Sequence, residues 1–126
     1  MESFSNRSLT KYKLIIDDFG GWDVFQQLLR CFKTIADTYD VTVPLVALRW
    51  ILDRPGVAAA IVGATSTRHI SENLRVFEFE LTDDDNSLID SVLKKRSGPG
   101  GDCFDLERDM TGRHGEIMRY NQNDLT

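Results

Sequence analysis

The chain has 126 residues, the size of one ordinary domain, and its 41% hydrophobic and 28% charged residues are the balance of a soluble globular protein. Its net charge of −5 argues against a nucleic-acid partner, because phosphate backbones call for basic patches and the longest basic run is Lys94-Lys95-Arg96. Cys31 and Cys103 suggest neither a disulfide framework nor a metal site, and no secretory signal or membrane-length apolar run is seen, so a reducing cytoplasm is expected, with any organelle-targeting segment lying upstream.

Residues 1–12 are polar and without period, and read as loop. Lys13-Leu-Ile-Ile16 is a short apolar run that fits a strand weakly. From Asp23 to Thr38 the residues Phe25, Leu28, Leu29, Phe32, Ile35 and Ala36 recur every three or four positions, which predicts a helix with Asp23 as its N-cap and Cys31 as a buried thiol. Thr42 caps a second helix, with Pro44 tolerated in the first turn and Arg54-Pro55-Gly56 as its stop.

Val57-Ala-Ala-Ala-Ile-Val62 then has the length and composition of one fully buried strand. Gly63 and Ala64 break it, and Thr65, Ser66 and Thr67 offer capping hydroxyls to a helix from Arg68 to Arg75. A strand, a small turn and a hydroxyl-rich helix start can aim backbone amides at an anion, with Arg68 and His69 alongside. The same residues also read as an ordinary strand-to-helix turn with a good cap. Val76 to Leu81 alternates apolar and polar, as a strand or as an extended loop that inserts Phe77, Phe79 and Leu81 beneath neighbouring helices. Thr82 and Asp85 form a capping-box-like start to a helix with Leu88, Ile89, Val92 and Leu93 inward, and Asp83 to Asp85 suit its positive end. The Gly-rich stretch from Gly98 begins an irregular arm in which His114 is expected to be exposed.

This inventory holds one clear strand, two doubtful ones and four helices. A single buried strand cannot satisfy its own backbone groups, and an all-apolar one expects parallel neighbours with helices over both faces. On that ground the chain reads as one end of a larger α/β protein.

Val46-Ala-Leu-Arg-Trp50, the Pro-Gly stop, Ala60-Ile-Val-Gly-Ala64, His69-Ile-Ser-Glu-Asn-Leu74 and Phe79-Glu-Leu-Thr82, in this order and spacing, resemble the C-terminal part of the aldo-keto reductases. Arg7-Ser-Leu-Thr-Lys-Tyr12 and Gly20-Gly-Trp-Asp-Val-Phe-Gln26 look like one oxidoreductase branch of that superfamily. The resemblance implies an α/β fold, the C-terminal third of a TIM (β/α)8 barrel, mostly helical as it stands and with its strand at Ala58 to Val62. Residues 1–97 would belong to the barrel and 98–126 would be the C-terminal arm. The resemblance further implies an oxidoreductase that reduces aldehydes and ketones with NADP(H). Gly63 and Ala64 would let the backbone approach the cofactor, Thr65, Ser66 and Arg68 would face the 2′-phosphate, and Glu72 and Asn73 would lie at the adenine ring. His69 stands where many members carry an arginine, and a neutral imidazole is a weaker phosphate ligand than a guanidinium. The family's catalytic Asp, Tyr, Lys and His belong to motifs upstream of this stretch. No catalytic residue is therefore assigned, nor any metal ligand, and the chain alone is expected to be inactive. Its expected partners are the nicotinamide cofactor and, in the full-length parent, a small carbonyl substrate, with no nucleic acid and no membrane. The competing reading is a non-catalytic short form, an interaction or regulatory protein that self-associates through unpaired strand edges.

Overall fold

Every regular element is helical among the residues described, 7–63 and 66–118, in this computed structural model. The elements are α1 (Arg7–Phe19), α2 (Gly21–Tyr39), α3 (Val43–Leu52), α4 (Thr67–Leu74) running into a 3-10 turn (Arg75–Phe77), α5 (Asp83–Leu93) and α6 (Cys103–Arg108). The α/β expectation, a third of a TIM barrel with its strand at Ala58–Val62, is therefore corrected. No strand forms among the described residues, and 57–63 run in irregular backbone outside any strand pairing, with Ile61 fully exposed and Val57 and Val62 partly so. The reason is the requirement that a lone buried strand cannot meet. It has no neighbour to take its backbone groups, and its three alanines supply too little apolar area to bury it without one.

The other departures are local. Lys13–Ile16 lies inside α1, not in a strand, and residues 7–12, read as loop, form that helix's first turns. Asp23 sits within the first turn of α2 and is not its cap. Leu88 is exposed, so the inward face of α5 is carried by Ile89 and Val92, with Leu93 partly buried.

The chain divides into two compact units: Gln26–Lys95, and the described residues before and after that segment. In the Gln26–Lys95 unit, the stripe of α2 (Cys31, Phe32, Ile35, Ala36) packs with Val46 of α3 and with Ile89 and Val92 of α5. Leu45, Val76 and Phe79 form a second cluster, so the loop after the 3-10 turn does insert Phe79, whereas Phe77 stays exposed. Ile35, Leu45, Val46 and Ile89 are the largest fully buried side chains. Each contributes about 1.5–3 kcal/mol by leaving water.

Polar contacts fix how these helices meet. The capping box is present as predicted: the Thr82 hydroxyl accepts from the Asp85 backbone amide, and the Asp85 carboxylate accepts from the Thr82 amide at 2.9 Å. The Tyr39 hydroxyl donates to the same carboxylate at 2.6 Å. Arg54, just beyond α3, stacks 4.4 Å from the centre of the Trp50 ring and donates to Asn86 of α5 at 3.1 Å. Asp40 takes a left-handed conformation at the end of α2 (φ 52°), and its carbonyl accepts from Arg75 at 3.1 Å.

In the other unit α1 ends at Phe19, followed by Gly20 (φ 141°) and Gly21 (φ 83°), conformations that residues with a Cβ rarely adopt. The arm is not wholly irregular. Asp102 caps the short α6 by accepting from the Phe104 amide at 2.7 Å. A close backbone approach follows, because a Cβ on Gly115 would lie 2.0 Å from the Asp109 carbonyl oxygen, and only glycine fits there.

Candidate functional site

The residues singled out by the sequence surround the start of α4. Gly56, in a left-handed conformation (φ 85°), turns the chain out of the α3 stop and into the 57–63 segment. Gly63 is exposed, with open space where a Cβ would sit, so nothing in the packing requires glycine there. Ala64 and Thr65 lie outside the described residues. Ser66 is the N-cap of α4, with extended backbone and no capping bond from its side chain. The His69 amide donates to the Ser66 carbonyl at 3.1 Å. The amides ahead of it, of Thr67 and Arg68, have no carbonyl one turn back within the helix, so this end of α4 carries partial positive charge beside the exposed Arg68 and His69.

Helical spacing sorts the remaining residues. Arg68 and Glu72 stand one turn apart on one face, and His69 and Asn73 on the next. Glu72 and Asn73 are half-buried. Asn73, with Ile70 and Leu74, lines a cleft of about 340 Å³. Its other walls are Leu48 and Leu52 of α3, Ala58–Ala60 with Val62, and Val76 with Phe77. Asn73 is the polar side chain in an otherwise apolar wall. The structure thus joins Asn73 to the predicted strand residues and places Ser66, Arg68 and His69 on the open first turn. Of the six candidates among the described residues, Asn73 lines this cleft and Gly63, Ser66, Arg68, His69 and Glu72 do not.

One polar centre escaped the sequence reading. His114 is not exposed but more than nine-tenths buried, and its Nε2 lies 2.5 Å from Oδ2 of Asp18, at the end of α1. Arg113 donates to the other oxygen of that carboxylate, while the Ser97 hydroxyl and amide donate to the carbonyls of Asp18 (3.2 Å) and Phe19 (3.0 Å). Burial pushes the Asp18 carboxyl up, but His114 and Arg113 outweigh it and hold it below the usual carboxylate range. The signal that would have found it is the spacing Leu9, Tyr12, Ile16, Phe19, which marks residues 7–19 as helical and puts Asp18 at a helix end. Among the described residues no group of three or more His, Cys, Asp or Glu side chains is placed to hold a metal ion, and no helix is long and apolar enough to cross a membrane.

With this geometry in view, comparison with known proteins decides the family. The model of the aldo/keto reductase family matches residues 1–94. The chain belongs to the aldo/keto reductase family. Among similar curated proteins is the uncharacterized oxidoreductase YtbE of Bacillus subtilis (strain 168), 43% identical over 73 residues, which are 57% of this chain and 25% of that protein. Estradiol 17 beta-dehydrogenase 5 of Mus musculus is 37% identical over 71 residues, 56% of this chain and 21% of its own length. NADP-dependent D-sorbitol-6-phosphate dehydrogenase of Malus domestica is 36% identical over 61 residues, 48% and 19%. This aldo/keto reductase chain therefore spans about a quarter or less of the curated relatives it matches. No solved structure matches it.

Proposed function

We propose that the chain supplies the adenosine-phosphate end of an NADP(H) site in an oxidoreductase that reduces aldehydes or ketones by hydride transfer. The observation that carries the reading is the placement of α4 within the matched family segment. The N-terminus of α4, with Arg68 and His69 exposed beside it, gives way one turn later to Asn73 in an apolar cleft. Those residues fit the group in chemical kind. A cationic helix start suits the 2′-phosphate, and an apolar cleft with one amide suits an adenine ring. Gly63, Ala64, Thr65 and Ser66 would bring backbone and hydroxyls to the phosphate, and Glu72 would join Asn73 at the ring. The relative from Malus domestica carries NADP dependence in its name, which supports the same cofactor here.

On this reading the 1–97 segment holds the cofactor contact and 98–126 the arm, in a protein of the cytoplasm. The proton donor and its partners lie in the part of the family that this chain does not match, so the 126-residue chain binds cofactor without turning over substrate. The test is a fluorescence titration of the chain with NADPH and NADH, beside an assay with a simple aldehyde. Saturable NADPH binding, weakened by Arg68→Ala and Asn73→Ala and accompanied by no turnover, supports the reading. Binding indifferent to both substitutions, or aldehyde reduction by the chain alone, overturns it.

A specific observation favours self-association as a second reading: Val62, Ile70, Leu74 and Phe77 are exposed along one apolar cleft, and Ile61, next to Val62 in the chain, is fully exposed. Sedimentation over a range of concentrations tests it, and a strict monomer would exclude it.

A further inference from the structure

A second cavity, of about 410 Å³, lies within the α1-and-arm unit, and its wall has an uneven chemistry. Helix α1 presents Ser8, Lys11, Tyr12 and Ile15 to it, residues at positions i, i+3, i+4 and i+7 that share one helical face. Residues at these positions would ordinarily be apolar in a helix packed against an arm. Here the first three bring a hydroxyl, an ammonium and a phenol. Lys11 is half-buried and has no ion-pair partner among the described residues, while the nearby Lys13 is paired with Asp17 at 2.5 Å. Tyr12 likewise makes no hydrogen bond there. The arm contributes His114, whose Nε2 is held by Asp18, so that the ring is fixed and Nδ1 has no partner among the described residues. Ile15, Ile117 and Met118 make the apolar part of the wall.

We propose that this cavity binds a small organic monocarboxylate with an apolar body. A half-buried ammonium without a counter-ion is costly, and a carboxylate is the anion that a Lys–Tyr pair on successive positions can hold with charge-assisted hydrogen bonds. The volume is within the range that takes up a small ligand. Ile15, Ile117 and Met118 receive its hydrocarbon portion, and Nδ1 of His114 serves a neutral polar substituent. The apolar end of the wall sets a limit on charge: a second carboxylate on the ligand would lie against Ile15, Ile117 and Met118 and lose its hydration there. The site therefore distinguishes monoacids from diacids. It lies in a different unit from the α4 cleft, and its occupancy does not depend on the cofactor reading.

Cys103 lines the same cavity and is exposed, whereas Cys31 is buried, so alkylation of Cys103 by iodoacetamide reports on occupancy. The experiment follows that rate by mass spectrometry on the whole chain with octanoate, suberate or 1-octanol added. Octanoate is expected to slow the reaction at least threefold, and neither the diacid nor the alcohol to do so. Lys11→Met is expected to abolish protection and Lys11→Arg, which keeps the charge, to retain it. No protection by octanoate, equal protection by 1-octanol, or protection that survives Lys11→Met would overturn the proposal.

Discussion

The phenol of Tyr39 at the end of α2 and the carboxylate of Asp85 in the first turn of α5 are joined by a 2.6 Å hydrogen bond across 46 residues of chain. The same carboxylate caps α5 through the Thr82 amide, so one side chain serves both a helix start and a helix–helix contact. The bond pushes the Tyr39 hydroxyl up, with burial adding to it. Burial pushes the Asp85 carboxyl up too, but the bonds from Tyr39 and Thr82 outweigh it and hold it below the usual range. A carboxyl held low contributes stability that is complete above its unfolded value of about 3.9 and is lost as pH falls through the lower folded value. Acid titration of the wild type should show that loss below about pH 4, and Asp85→Asn should flatten it. Tyr39→Phe should cost about 1 kcal/mol in urea unfolding at neutral pH.

The core makes a sharper demand. Ile89 is fully buried in the cluster that joins α2, α3 and α5. Ile89→Ala should lower stability by about 2–5 kcal/mol, whereas the same change at exposed Ile70 should fall within about 0.5 kcal/mol. Urea midpoints at constant m would read the difference.

Asp18 should govern the arm. Its carboxylate accepts from both Arg113 and His114, and its backbone carbonyl from Ser97. Asp18→Asn should accelerate amide exchange across residues 97–118 and leave the core of the Gln26–Lys95 unit unaffected. Because the Asp18 carboxyl is held low, its contribution is present above the ordinary carboxylate range and disappears as acid takes the pH through the lower folded value. Exchange rates unchanged by the substitution would remove Asp18 from this role.

His69 offers a test of cofactor choice. On the proposed reading, His69→Arg places a guanidinium beside the 2′-phosphate, a ligand better matched to it than imidazole. The NADPH affinity should rise about tenfold relative to NADH, or about 1.4 kcal/mol. An equal change for both cofactors would mean that His69 is not near the distinguishing phosphate.

Ile61 is the fully exposed apolar residue of the 57–63 segment. Ile61→Lys should reduce self-association in sedimentation experiments without lowering the thermal midpoint, since the side chain makes no buried contact to lose.

Local signals were legible where chemistry and geometry were both close in sequence. The Thr82–Asp85 box, Pro44 in the first turn of α3 and the α2 stripe are of this kind, because each depends on neighbours three or four positions away. Val57–Val62 misled because an apolar run reports what a segment would do among neighbours, and no strand stands beside it among the described residues. His114 misled in the opposite direction. A histidine in a glycine-rich tail carries no local sign of burial, and its partner Asp18 lies 96 positions away. At the proposed cofactor site, residue types were readable from the motif, but only coordinates put Asn73 in the cleft and left Arg68 and His69 outside it.

The backbone crossing at Gly115 has a consequence for how the arm can diverge. Where a side chain meets a side chain, a change on one can be absorbed by a change on the other. A Cβ that would lie 2.0 Å from a carbonyl oxygen leaves no such second move. In any set of arms that share this path, the residues around it are free to drift, while position 115 admits one amino acid and so marks, by itself, whether the path has been kept.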